Sequence, residues 1–89
     1  MTDHEDTLAE LYDHLAATAE RPVERAASRW LGEAEAVAAD LAEGDPDEAV
    51  IEDRLGTVAH LLEQIEEIED EQASEHVAAA REIVTRLQE

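Results

Sequence analysis

Four histidines and a dense set of carboxylates are the side chains of this sequence whose types suit acid–base or metal chemistry. A carboxylate-bridged metal site in a helical bundle uses Glu-x-x-His pairs that face the interior. None of the four histidines has a glutamate three residues before it. We therefore predict solvated surface histidines and no metal site, with His60, Glu63, Glu67 and Asp70 as the weak candidates for ligands.

The acidic run around residue 66 allows one comparison with an enzyme family. Glu66 and Glu67 followed by Asp70 loosely resemble the first half of the magnesium-binding pattern EExxE of all-helical nucleotide pyrophosphatases. Those enzymes follow it with ExxD, whereas Glu82 is followed three residues later by Thr85. This departure argues against the activity that the resemblance implies. No glycine-rich phosphate loop and no convincingly placed nucleophilic serine occurs, so we expect no enzyme and no cofactor.

All six cationic side chains are arginines. Three have an acidic residue three or four positions away, which predicts the local pairs Arg21–Glu24, Arg29–Glu33 and Glu82–Arg86. Arg25, Arg54 and Arg81 have none, so we predict that each pairs with a carboxylate of another helix or another chain. The row Arg21, Arg25 and Arg29 could instead hold nucleic acid, but such binders present a dominant basic face, and we do not expect this role.

The clearest boundary is the segment 44–48, with the sequence Gly-Asp-Pro-Asp-Glu. Gly44 suits the left-handed residue that ends a helix. Asp45 is a good N-cap, Pro46 fits the first helical position, and Glu48 lies three residues after the cap. The segment predicts that one helix ends at 43–44 and that another begins at 46.

One apolar stripe precedes this turn, at steps of three or four residues, which is typical of amphipathic helices. Its members are Leu8, Tyr12, Leu15, Ala19, Val23, Ala26, Trp30, Ala34, Val37 and Leu41. Pro22 interrupts it, because proline removes an amide donor and disfavours helical geometry in the preceding residue. We predict helices over about 5–20 and about 22–43, with a kinked continuous helix as the alternative.

Two further apolar seams follow the turn. They consist of Ile51, Leu55, Val58, Leu62 and Ile65, and of Ala73, Val77, Ala80, Val84 and Leu87. The apolar phasing lapses over residues 66–72, where Asp70 or Ser74 can cap a new helix. The pattern predicts helices over about 46–69 and about 72–88, with a turn near 69–73.

Together these elements predict a single all-α domain over residues 1–89. We expect an antiparallel up-and-down bundle of four helices, the first one short. The alternative is a hairpin of two long kinked helices that dimerises into a four-helix bundle.

The negative charge is unevenly distributed among these helices. Residues 1–20 hold six acidic residues and no arginine, and residues 45–71 hold eleven acidic residues and one arginine. Residues 21–44 and 72–89 are nearly neutral and rich in alanine. The last helix carries apolar side chains around much of its circumference, more than one packing stripe needs. We therefore predict a homodimer interface at Ala73, Val77, Ala80, Val84 and Leu87.

The overall balance of 25 acidic residues, six arginines and no lysine gives a formal net charge of −19. Self-repulsion of this size opposes compaction unless salt screens it. In length, acidity and its helix–Gly-Asp–helix centre the chain resembles small uncharacterised helical proteins of haloarchaea. That resemblance implies a protein adapted to molar salt and carries no activity with it.

The sequence predicts a cytoplasmic protein, since it has no signal-peptide pattern and no apolar run of membrane-spanning length. We expect a non-enzymatic interaction or structural module that forms a homodimer. A further protein partner, which the sequence does not identify, is also compatible with this role. The alternatives are a divalent-metal or nucleotide-dependent helical-bundle enzyme, and a nucleic-acid or regulatory accessory.

Overall fold

A computed structural model describes residues 3–44 and 46–88 of the chain, with side chains from residue 6 onward. It contains four α-helices, which are α1 (Asp3–Thr18), α2 (Arg25–Glu43), α3 (Glu48–Glu63) and α4 (Glu71–Gln88). No strand occurs among these residues. The predicted four-helix bundle is confirmed, and the alternative of two long helices is wrong. The first helix is not distinctly short, because α1 and α3 both have 16 residues.

The helices pack in cyclic order, so that α1 contacts α2 and α4, and α3 contacts the same two neighbours. Arg21, in the first connection, bonds Asp70, in the third connection. Both connections therefore lie at the same end of the bundle, which is the arrangement that an up-and-down topology requires. We call this the loop end, formed by residues 19–24 and 64–70. The molecule measures 37 × 21 × 19 Å.

The helix boundaries differ from the predicted ones at two caps. Asp47, not Asp45, is the N-cap of α3, because its carboxylate accepts a hydrogen bond from the Val50 amide at 3.0 Å. The helix consequently begins at Glu48 rather than 46, and residue 45 itself lies outside the described residues. Gly44 ends α2 with an extended backbone at φ −87°, so its predicted left-handed conformation is wrong.

The break at Pro22 and the turn before α4 are both real, although each is longer than predicted. Residues 19–24 separate α1 from α2, which begins at Arg25. The third helix ends at Glu63, six residues before the predicted 69, and residues 64–70 form the connection. Asp70 is the N-cap of α4, since its side chain accepts from the Ala73 amide at 2.9 Å.

The core is built from all four helices. Its buried side chains are Leu8, Leu11 and Leu15 of α1, Ala27, Leu31, Ala34, Ala38 and Leu41 of α2, Leu55, Val58, Leu61 and Leu62 of α3, and Val77, Ala80, Ile83 and Val84 of α4, with Ile65 from the connection. The predicted seams of α3 and α4 are confirmed in phase. The predicted α2 stripe is rotated by one residue, because Ala27 and Leu31 are buried while Ala26 is exposed and Trp30 is half-buried.

Candidate functional site

The four weak candidates for metal ligands are not brought together. His60 and Glu63 are exposed on α3, and Glu67 is exposed in the connection that follows it. Asp70 is bound to Arg21. Within the described part of the chain no three His, Asp or Glu side chains are grouped as a metal site. These residues therefore have separate surroundings and no common chemistry.

Asp70 holds the loop end together. Its two carboxylate oxygens accept hydrogen bonds from Nε and an Nη atom of Arg21, at 2.9 and 3.0 Å. This bidentate geometry is the strong form of an arginine–carboxylate pair. One of the same oxygens also accepts the Ala73 amide at the start of α4. A single carboxylate thus caps one helix and fixes the connection between two others.

The electrostatics of this pair follow from those hydrogen bonds. The Arg21 hydrogen bonds, and after them the Ala73 amide, hold the pKa of Asp70 below its usual value. The Asp70 carboxylate, by its hydrogen bonds and its charge, raises the pKa of Arg21 above its usual value. Both shifts favour the charged forms, so the pair stays ionised over the neutral range.

A cleft of about 460 Å³ opens beside this pair, between the start of α2 and residues 64–67. Its lining is partly apolar, with Trp30 and Ile65, and partly acidic, with Glu24, Glu66 and Glu67. One carboxylate oxygen of Glu24 accepts the Glu69 amide at 3.2 Å. Its other oxygen, Oε1, is buried and has no hydrogen-bond donor among the described residues. The cleft therefore suits a positively charged group with an apolar stem.

The predicted homodimer interface on α4 is wrong in its residues. Ala73, Val77, Ala80 and Val84 are at most 3% exposed, and Leu87 packs half-buried against the core. The broad apolar surface of α4 has an intramolecular use, because α4 packs against both α1 and α3. A helix with two neighbours in a bundle needs a wider apolar face than a single stripe.

The arginines that lack a nearby acid behave differently from one another. Arg81 donates to the carbonyl oxygens of Leu62 and Ile65, at 2.7 and 3.3 Å, and so stabilises the C-terminal end of α3. It crosses between helices as predicted, but its acceptors are carbonyls and not a carboxylate. Arg25 and Arg54 are exposed, and neither has an ion pair within the described residues. None of these three arginines therefore forms a cross-helix ion pair among the described residues, and pairing with another chain stays a prediction.

Two of the three predicted local ion pairs are confirmed. Arg29 lies 4.0 Å from Glu33, and Arg86 lies 3.6 Å from Glu82. The third is wrong, since Arg21 bonds Asp70. The guanidinium of Arg29 also lies 5.2 Å from the centre of the Trp30 ring. The row of Arg21, Arg25 and Arg29 is thus not a free cationic face.

The structure reveals one pair of groups that periodicity did not indicate. His14 of α1 and His76 of α4 are half-buried, and their Nδ1 atoms lie 2.9 Å apart. The ring centres are 5.2 Å apart and the ring planes make an angle of 47°. The prediction of solvated histidines is wrong for these two and confirmed for His60, which is exposed. The side chain of His4 lies outside the described residues.

These features define an all-α protein, an up-and-down four-helix bundle whose cross-helix polar contacts gather near the loop end. The chain belongs to the family described as Domain of unknown function (DUF8152), whose model matches residues 7–89. No curated protein and no solved structure matches the chain. None of the described helices is sufficiently long and apolar to cross a membrane.

Proposed function

We propose that this chain is a non-enzymatic interaction module that works as a homodimer in a salt-rich cytoplasm. The observation that carries the proposal is one patch on α3, formed by Val50 and Arg54. Val50 is 40% exposed, more than any other large apolar side chain of the described residues. Arg54, one helical turn later, is exposed and has no ion pair within that part of the chain.

A second copy of the chain supplies what this patch lacks. Apolar side chains and arginines are the groups that interface cores favour, whereas most surface positions here are acidic. A two-fold interface through α3 packs Val50 against its counterpart. In an antiparallel pair of α3 helices about such an axis, each Arg54 lies opposite the exposed Asp47 of the other copy. The high negative charge of residues 45–71 opposes this contact, so salt should strengthen the dimer.

Sedimentation equilibrium in molar potassium chloride tests the dimer directly. We expect a particle of twice the 9.8 kDa chain mass. Val50→Glu and Arg54→Glu should each shift the equilibrium to monomer by at least about tenfold, or about 1.4 kcal/mol. Ala78→Glu is the matched control, because Ala78 is exposed on α4 and lies away from the patch. A monomer at all concentrations, or a dimer indifferent to both substitutions, would contradict the proposal.

The proposed salt-rich setting rests on composition and on where the charge lies. The chain has 25 acidic residues and no lysine. Most of its carboxylates are exposed and unpaired among the described residues. Of the three ion pairs there, Arg21–Asp70 is the shortest and the most buried. Such a surface is better tolerated where the screening length is short, about 3 Å near 1 M salt.

The cleft at the loop end favours a second role, which is to hold an arginine or lysine side chain of a protein partner. The buried Oε1 of Glu24 is an acceptor without a donor. Burial of such an atom is unfavourable until a donor reaches it. A guanidinium supplies several donors, and its stem fits against Trp30 and Ile65.

Trp30 is the single tryptophan of the chain, so its fluorescence reports on this cleft. Titration with N-acetyl-arginine amide should change the emission saturably, and Glu24→Gln should remove the change. Asp40→Asn is the control, since Asp40 is an exposed carboxylate farther along α2 and lies outside the cleft. An equal response in both variants would show charge attraction only and would reject the cleft as a site.

A further inference from the structure

His14 and His76 form a contact that neither the bundle nor the proposed dimer requires. The two histidines are 62 residues apart in the sequence. They belong to α1 and α4, which core packing holds together. With the Nδ1 atoms 2.9 Å apart, one ring donates its N–H to the lone pair of the other. Two imidazole nitrogens are thus fixed beside each other at the partly exposed surface of the bundle.

We propose that this pair binds a divalent transition-metal ion, with Cu²⁺ held most tightly. Imidazole suits copper, nickel and zinc, and the affinity of nitrogen sites is highest for Cu²⁺. Two metal–nitrogen bonds of about 2.0 Å that meet at a right angle place their nitrogens about 2.8 Å apart. The observed separation is 2.9 Å. That separation is also the length of an ordinary hydrogen bond, so it places the two nitrogens within reach of one ion, and the preference for Cu²⁺ follows from the ligand type alone.

Binding requires a small rearrangement of the two rings. Given the 5.2 Å between ring centres, the two Nδ1 atoms now point at each other, and each ring must turn until both lone pairs converge on the ion. The ring that donates Nδ1–H changes to its Nε2–H tautomer, so a neutral pair binds the ion without net release of a proton. Water completes the coordination, because no third His, Asp or Glu among the described residues joins the group.

The surroundings favour a cation and the ligand type selects which one. A chain of net charge −19 attracts divalent ions in general. Magnesium and calcium prefer oxygen ligands, so the imidazole pair discriminates against them. Bound metal would tie α1 to α4 and stabilise the folded state by mass action.

The test uses the full chain with His4→Gln and His60→Gln, which leaves the pair as its only imidazoles. Calorimetric titration with Cu²⁺ alone, in molar potassium nitrate, should show saturation at one ion per chain. The electron paramagnetic resonance spectrum should show hyperfine coupling to two nitrogens. A hundredfold excess of free ion over Kd should raise Tm by about 11–22 °C.

His14→Gln or His76→Gln, each added to that background, should weaken binding at least tenfold and leave coupling to one nitrogen. Circular dichroism without metal checks that these variants fold. Binding that neither substitution weakens would place the ion on carboxylates and overturn the proposal. Absence of two-nitrogen coupling in the unsubstituted background would overturn it too, whether or not the variants fold.

Discussion

Replacement of Asp70 by alanine should destabilise the bundle more than the loss of any exposed carboxylate. Asp70 caps α4 through the Ala73 amide and binds Arg21 in bidentate fashion. Its side chain is 15% exposed and that of Arg21 is 38% exposed, so solvent screens the pair in part. The substitution removes both contacts at once, while other variants remove them separately.

The expected size follows from the two contacts. Loss of an N-cap costs about 1 kcal/mol. A partly exposed ion pair with good geometry contributes about 0.5 kcal/mol. Asp70→Ala should therefore lower the free energy of unfolding by about 1.5 kcal/mol, which lowers Tm by about 6–12 °C in a domain of this size. Asp70→Ser keeps the cap, and Arg21→Ala keeps the cap as well, so each should cost about 0.5 kcal/mol.

Thermal and urea denaturation of these variants in molar potassium chloride measure the effects. Asp53→Ala is the matched control, because it removes one negative charge from an exposed helical position. The double variant with Arg21→Ala and Asp70→Ser should cost less than the sum of the single changes if the pair contributes. The reasoning is refuted if Asp70→Ala is no more destabilising than Asp53→Ala. Strict additivity of the double variant would refute the contribution of the ion pair.

Three further predictions concern salt, glycine and acid. Lowering salt from about 3 M to about 0.1 M should lower Tm because repulsion within residues 45–71 is then poorly screened, and an unchanged Tm would refute the proposed salt adaptation. Gly32→Ala and Gly56→Ala should each raise the free energy of unfolding by about 0.5–1 kcal/mol in denaturant titrations, because both positions are helical and an added Cβ has no neighbour within 4 Å. A loss of stability in either would show hidden contacts. Folding lowers the pKa of Asp70, so its contribution to the free energy of unfolding is present above its unfolded pKa. That contribution is lost as pH falls through the pKa of the folded state. The difference in stability between the unsubstituted chain and Asp70→Ser should therefore vanish in acid.

The sequence predicted the features that depend on neighbours along the chain. The helix count, the breaks at Pro22 and before α4, and the local pair of Arg86 with Glu82 all follow from residues within a few positions of each other. Apolar spacing also located the buried faces of α3 and α4, because most Leu, Val and Ile residues of these helices lie on those faces. Local rules suffice where the chain offers one choice.

The phase of α2 shows where such rules fail. Apolar residues at 26, 30, 34, 37 and 41 and at 27, 31, 34, 38 and 41 satisfy the same spacing. Packing against the neighbouring helices selects the second set, which places Leu31 inside and leaves the large Trp30 at the rim of the cleft. Local periodicity cannot decide between two faces that are one residue apart.

The candidate sites were unpredictable for a related reason. Arg21 meets Asp70 at a separation of 49 residues and His14 meets His76 at 62. Which faces of different helices meet depends on the order and rotation of the helices in the bundle. The wrong prediction of an α4 interface has the same origin. It assumed that α4 packs against one helix of its own chain, whereas α4 packs against both α1 and α3.

The placement of the cross-helix polar contacts has a consequence for how the bundle opens. The contacts of Arg21 with Asp70, Glu24 with Glu69, His14 with His76 and Arg81 with the end of α3 all lie towards the loop end. The opposite end, which holds the 44–47 connection, has no ion pair between helices among the described residues. Amide hydrogens there should exchange faster with deuterium than those near the loop end. The bundle would then open first at the end with the 44–47 connection, and the loop end would separate last.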